Sequence, residues 1–358
     1  MEPLPTALLH ADRDLHALYE RVPFSRYLNP INAVEARQAF RSGVAAPPLR
    51  YHPASWADEE LARLERLEPP MDHPLGRLLA EAISGTRLFV LALRDRSPEA
   101  FDALARHSGW YPDEETLTAA RTEQHARDEQ PFSLGAQDMI GALRDGLVER
   151  GLADWKVEED SVMSARVLVD GAKRLLRVSP RASFRVRDIQ RLVVHEVEVH
   201  ALRSFNGRQQ PLKIFATGLP GSLETEEGLA LCAEERSGSA SPGTHWRQGV
   251  VVQAVEWART MGFRELHEAI ASTAGRGLAW GVAERLKRGL ADPGEPGVYA
   301  KDIVYYRGHR RVKRWLDAGG DIGLLYVGKV GVDDPVQAWV DEGFVSLQPV
   351  PRTFRSVD

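Results

Sequence analysis

Cysteine is almost absent from this chain. Cys232 stands alone among 358 residues, so no intrachain disulfide can form and no cage of thiolates can hold a metal. That favours a reducing, cytoplasmic setting. Long apolar runs are missing too. The longest, Leu88 to Leu93, is far below the roughly 20 residues of a membrane span. The N-terminus carries acidic residues early and no extended apolar stretch, unlike a signal peptide. The expectation is a soluble protein with no membrane partner. Positive charge is not in excess either: 46 Lys and Arg face 51 Asp and Glu, a formal net charge of -5. Phosphate affinity needs concentrated cations, so a nucleic-acid partner is not expected. The patch Arg307-Gly308-His309-Arg310-Arg311 is too local to change that.

What is present is an ordinary globular composition, 43% hydrophobic and 27% charged, long enough to bury a substantial core. Residues 1–150 read mostly as helix. Apolar positions recur at helical spacing over Leu8 to Val22, Ala33 to Phe40, Trp56 to Leu67 and Leu75 to Leu93. Prolines interrupt these segments, and Pro98 suits the first turn of a helix running towards Trp110. Ser133 to Glu149 is a further amphipathic segment.

The pattern then changes. Trp155 to Glu158 and Ala165 to Val169 alternate like strands, Asp170-Gly171 signals a tight turn, and Leu175 to Val178 supplies a returning strand. A helix follows from Val186 towards Phe205, with Asn206-Gly207 as its left-handed cap. Thr225 suits the N-cap of the next helix, to about Glu235. Four more helical segments follow: Trp246 to Met261, Phe263 to Ser272, Leu278 to Leu290 and Lys301 to Trp315. Helices, a small antiparallel sheet, then helices make an α+β protein. The expected division is a helical part, 1–150, wrapping a core, 151–358, in one compact unit.

Chemistry concentrates in His195-Glu196-Val197-Glu198-Val199-His200. Neutral imidazole is the commonest zinc ligand, and catalytic zinc usually takes three protein ligands and leaves one position open. A glutamate beside the first histidine is placed to take a proton from water and return it to a leaving amine. The familiar zinc-peptidase motif separates its histidines by four positions, on one helix face; here they are five apart. Five residues advance an α-helix by about 500°, leaving the side chains roughly 140° apart. A π-type turn, with i to i+5 register, realigns them, and one is expected between His195 and His200. The third ligand is expected from Thr225-Glu226-Glu227-Gly228-Leu229-Ala230. Adjacent helical residues point about 100° apart, so only one of Glu226 and Glu227 faces the metal, and the other faces solvent or supports a ligand.

These motifs together resemble the microtubule-associated tyrosine carboxypeptidase family, whose bacterial members carry a Gln-Glu-Gly-Leu-Ala label. The resemblance extends to His200-Ala201-Leu202-Arg203, Lys301-Asp302-Ile303-Val304-Tyr305, Gly328-Lys329-Val330 and Pro30-Ile31-Asn32. It spans about residue 30 to residue 330. It implies a gluzincin-like fold, one zinc ion on His195, His200 and Glu227, and Glu196 as general base. Glu226 stands where the bacterial label has Gln, which maps the ligand to Glu227. The implied activity removes a C-terminal aromatic residue, Tyr or Phe, from a peptide or protein.

A carboxypeptidase must also hold the terminal carboxylate. Arg203, Lys301 and Lys329 are the candidates, and Tyr305, four positions after Lys301, is a candidate donor to the developing oxyanion. The strand Leu175 to Val178 is the expected edge for adding a substrate strand. Glu198 is expected to be solvated or salt-bridged, His309 to lie at the surface, and Cys232 to be a small buried residue. Two other readings keep the metal site: a zinc endopeptidase or peptide-processing enzyme, and a non-catalytic regulatory protein. The intact Glu196 argues against the last, because a structural metal site needs no base.

Overall fold

The computed structural model describes residues 4–126, 130–163 and 165–355. Eight helices come first: α1 (Thr6–Arg21), α2 (Phe24–Leu28), α3 (Ala33–Arg41), α4 (Ala57–Leu64), α5 (Pro74–Asp95), α6 (Pro98–His107), α7 (Glu114–Thr122) and α8 (Ala136–Glu149). Pro98 does open α6, with Ser97 Oγ accepting from the Ala100 amide. Proline suits that position because the first-turn amide has no helical partner. Asn32 of the Pro-Ile-Asn element joins chain segments: its amide donates to Pro48 O and its oxygen accepts from Arg50 N, both at 2.8 Å.

Three short strands follow, β1 (Lys156–Glu159), β2 (Val167–Asp170) and β3 (Leu175–Val178), in the order β1-β3-β2. The sheet is mixed, not antiparallel throughout. β2 and β3 form a hairpin, whereas β1 runs parallel to β3. The reason is connectivity: the tight turn commits β3 to β2 on one edge, and β1 takes the edge left over. The Asp-Gly signal produces a 3₁₀ turn, Gly171–Lys173, closed by Arg174 at φ 51°. β3 is therefore central and buried along its whole length, and β2 is a part-buried edge strand. The expectation that β3 offers a free edge is corrected by this pairing.

The chain then forms a composite helix: α9 (Val186–Leu192), a π segment (Val193–Ala201) and α10 (Leu202–Arg208). The widened register predicted from the five-residue histidine spacing is present. Gly207 is not a left-handed cap. It lies inside α10, where a Cβ would stand 2.0 Å from Phe215 O. Glycine is there because another backbone passes against it.

The remaining helices are α11 (Ile214–Thr217), α12 (Ser222–Arg236), α13 (Thr244–Ala258), α14 (Phe263–Ala274), α15 (Arg276–Lys287), α16 (Ile303–Asp317), α17 (Ile322–Leu325) and α18 (Val336–Asp341). α12 starts before Thr225, so Thr225 is no cap. Its buried hydroxyl instead accepts from the Val332 amide at 3.0 Å. The principal hydrophobic cluster runs from Leu8 in α1 through Val193, Val197 and Val199 of the π segment to Phe354. Each such fully buried aliphatic side chain contributes about 1.5–3 kcal/mol relative to exposure. A second cluster binds α13, α14 and α15 around Phe263 and Trp280. Among the described residues no helix is long and apolar enough to cross a membrane.

Candidate metal centre

Three elements converge on one point: the π segment, α12 and β2. The hairpin is fastened over the composite helix by Arg208, whose Nη2 donates to Gly171 O and Ala172 O at 2.7 and 2.6 Å. α12 is fastened against α16 by glycines. A Cβ on Gly228 would lie 2.2 Å from the Gly308 carbonyl, and one on Gly308 would lie 2.0 Å from Glu224 O. The glycine after Glu227 thus lets two helix backbones touch and sets how far Glu227 reaches.

The π register places the His195 and His200 rings 4.8 Å apart. Glu227 Oε2 lies 3.6 Å from His195 Nε2 and 3.5 Å from His200 Nε2. These gaps are too long for hydrogen bonds, and Glu227 Oε2 is buried without a hydrogen-bond partner. They match donors sharing one tetrahedral ion, since bonds of about 2.0–2.1 Å put donors roughly 3.3–3.5 Å apart. The residues present therefore fit a metal ion of zinc size.

Both imidazoles are braced from behind. His195 Nδ1 is 2.8 Å from Glu234 Oε1, and His200 Nδ1 is 2.9 Å from Glu226 Oε1. Carboxylates there fix the ring orientation, turn Nε2 towards the ion and raise ligand basicity. Glu234 is held in turn by Arg191 at 3.0 Å, and Glu226 by Lys329 at 3.2 Å and by Arg203. Burial opposes charge on the rings, yet Glu227 and Glu234 outweigh it and hold His195 up at about 10. His200 is raised likewise, against burial, by Glu227 and Glu226. Burial would raise the carboxylates, but Lys329 and Arg203 hold Glu226 down at about 2, and the histidines hold Glu227 well below its usual range. The carboxylates of Glu227, Glu226 and Glu234 favour positive charge on the two rings, and the same pull favours a dication among Nε2 of each ring and Glu227 Oε2.

A cavity of about 300 Å3 opens on this trio. Glu196, Lys301, Tyr305 and Lys329 line it, as do Arg285 and Arg288. Glu196 makes no hydrogen bond or ion pair with another described residue, unlike Glu198, Glu226 and Glu234. Glu198 is engaged by Arg150 at 2.7 and 2.9 Å and by Thr353. Phe24, Leu28, Phe89 and Tyr299 give the cavity an apolar, aromatic side, and residues 165 and 167–169 supply the β2 edge.

Arg203 is not in the cavity. It is fully buried behind the site, donating to Leu325 O, Val330 O and Glu226 at once. Its position one turn beyond His200 aims it at the carboxylate that braces His200, so it supports a histidine and does not meet substrate. Lys301 lies in a 3₁₀ turn (Ala300–Asp302) ahead of α16, so it and Tyr305 reach the cavity from different elements. Sequence reasoning missed three residues. Glu234 was signalled by its seven-residue spacing from Glu227, two turns along one face. Arg285 and Arg288 were signalled by their three-residue spacing near the end of α15. Asp302 pairs with both arginines, yet Nε and Nη1 of Arg288 stay buried and unpartnered.

The fold and site describe a mostly helical α+β protein with a buried two-histidine, one-glutamate cluster able to hold a metal ion. Residues 43–356 match the family model for microtubule-associated tyrosine carboxypeptidase, and the chain belongs to that family. It is 28% identical over 187 residues to the mouse microtubule-associated tyrosine carboxypeptidase 1, a match covering 51% of this chain and 39% of the relative. The human protein of that name is 27% identical over 184 residues, covering 50% of this chain and 38% of the relative. The chain thus matches well under half the length of these relatives.

Proposed function

We propose that this protein is a zinc-dependent carboxypeptidase of the cytoplasm that removes a C-terminal aromatic residue, Tyr or Phe, from a peptide or protein. The observation that carries the reading is the joint presence, in one cavity, of a braced His195–His200–Glu227 trio and an unengaged Glu196. The family's name supplies the tyrosine carboxypeptidase activity, and the lone, buried Cys232 suits a reducing compartment.

Zinc, when bound by the trio, supplies Lewis acidity and makes water nucleophilic near neutral pH. Glu196 takes the proton from the attacking water and delivers it to the departing amine. Tyr305 donates to the oxygen of the scissile carbonyl as negative charge develops there. Burial and then the neighbouring Glu227 hold the Tyr305 hydroxyl well above its ordinary value, so it stays protonated and able to donate. Arg288, with two unsatisfied donors, and Lys301 bind the terminal carboxylate, and Lys329 adds positive charge on the Glu226 side. Phe24, Phe89 and Tyr299 receive an aromatic side chain. The β2 edge holds the substrate backbone by strand addition.

The test uses two peptides ending in Tyr, identical except that one is amidated at its C-terminus. Wild type should release Tyr from the free acid alone. Arg288→Ala should raise KM about tenfold with a smaller change in kcat, as loss of a charge-assisted contact predicts. Equal cleavage of the amidated peptide would instead favour an endopeptidase.

A further inference from the structure

α12 continues past the trio, and its last turn carries a second gathering of donors. Glu235 lies near the C-terminus of α12, His245 in the first turn of α13 and His309 midway along α16. Glu235 Oε1 is 2.8 Å from His245 Nε2 and 2.9 Å from His309 Nε2. The two imidazoles stack, with centroids 4.3 Å apart and planes 27° apart. His309 is not at the surface, as its place in a basic patch implied, but only 8% exposed, and its Nε2 is buried without a hydrogen-bond partner. The Glu235 oxygen is close to that nitrogen but off the axis along which the ring donates or accepts, so proximity leaves the atom unsatisfied. Lys313 Nζ approaches the other carboxylate oxygen, Oε2, at 3.5 Å.

We propose that Glu235, His245 and His309 form a second divalent-metal site, separate from the cavity, for a borderline transition cation such as Zn2+. Two imidazole nitrogens and one carboxylate oxygen are a zinc-type donor set, and one such atom from each residue lies within 4.8 Å of the others. Hydrogen bonding alone serves the cluster poorly. One carboxylate oxygen meets two imidazoles, and stacked rings that both carried charge would repel each other. A cation among the three satisfies the orphaned His309 nitrogen and removes the conflict. Donors sharing an ion stand roughly 3.3 Å apart, so the Glu235 carboxylate and His245, 30% and 36% exposed, both shift outward by a few tenths of an ångström to open the contacts of 2.8 and 2.9 Å. An ion there clasps the C-terminal end of α12, the start of α13 and the middle of α16 together. Glu234, the neighbour of Glu235, braces His195, so the clasp lies next to the support of the first site without entering it.

The test is a Zn2+ titration of the whole chain, stripped of metal, followed by equilibrium dialysis and metal analysis. Wild type should bind two equivalents and His245→Gln one. His200→Ala should keep the His245-dependent equivalent, which separates this proposal from the catalytic-zinc reading. Excess Zn2+ should raise the Tm of wild type by several degrees more than that of His245→Gln, because only wild type binds the second ion in the folded state. His245 is partly exposed, so the variant should fold, as circular dichroism would report, and should retain wild-type peptidase activity at one equivalent of Zn2+. The same Zn2+ stoichiometry and Tm response in wild type and His245→Gln would overturn the proposal.

Discussion

Two groups of two histidines and one glutamate sit along α12, and they are built differently. In the first, His195, His200 and Glu227 hold their facing atoms 3.5–3.6 Å apart, with a buried carboxylate behind each ring. In the second, Glu235 touches both histidines directly at 2.8 and 2.9 Å. No carboxylate backs its rings among the described residues, and part of it is open to solvent. The first group is held open at the spacing an ion needs, whereas the second has closed on itself. The donor inventory is the same in both; what differs is the shell behind it. Preorganisation by Arg191–Glu234 and Arg203–Glu226 lowers the cost of assembling a tight site, so the second group should bind metal more weakly than the first.

The largest effect expected from breaking this difference is chemical. Among the described residues Glu196 has no counterpart at the second group, and Glu196→Gln should lower kcat by about 10²–10⁴, the range for removal of a general acid–base group. Bound metal should not change, as metal analysis of the purified variant would check. Glu234→Gln sharpens the comparison by removing the carboxylate behind His195. It should weaken zinc at the trio by roughly 10–100-fold in a chelator competition and leave the His245-dependent site unaffected. Gly228→Ala tests whether the α12–α16 contact sets both groups. The new methyl meets the Gly308 carbonyl, so the helices must separate, at about 1–3 kcal/mol in urea denaturation, and metal affinity should fall at both sites.

The smallest effect concerns Asp188, at the start of the helix that carries His195 and His200. Burial would raise its pKa, but the Arg185 amide, Arg191 and Arg166 lower it below the ordinary value of 3.8. Its folded value is thus below its unfolded one, and the unfolded state binds more protons between the two. Stability from Asp188 is therefore present above about pH 4 and is lost as pH falls through the folded value. Urea midpoints for wild type should drop as pH falls below that point, and those for Asp188→Asn should drop less.

Much of the trio's geometry was legible from local sequence. Five-residue spacing of His195 and His200 demands a π turn if both are to face one way, and the π turn is there. The 100° between adjacent helical residues separates Glu226 from Glu227, and the structure aims one at His200 Nδ1 and the other between the two rings. The rest depended on contacts distant in sequence. β3 reads as an edge strand because β1, which covers its far side, is separated from it by a hairpin strand and a turn. Arg203 reads as a cleft residue because its partners Leu325 and Val330 lie more than a hundred positions away. Gly207 reads as a cap because the Phe215 backbone that presses on it comes from a later helix. Local periodicity carries no information about which chain segment arrives on the other side.

The most direct measurement couples metal content to cleavage. Wild type and Glu196→Gln would be washed with a weak chelator, analysed for zinc, and incubated with peptides varied at the last residue, read by mass spectrometry. The account predicts one tightly held zinc in each protein, with release of a terminal Tyr or Phe by wild type alone. Absence of zinc from both, or cleavage by Glu196→Gln at the wild-type rate, would contradict it.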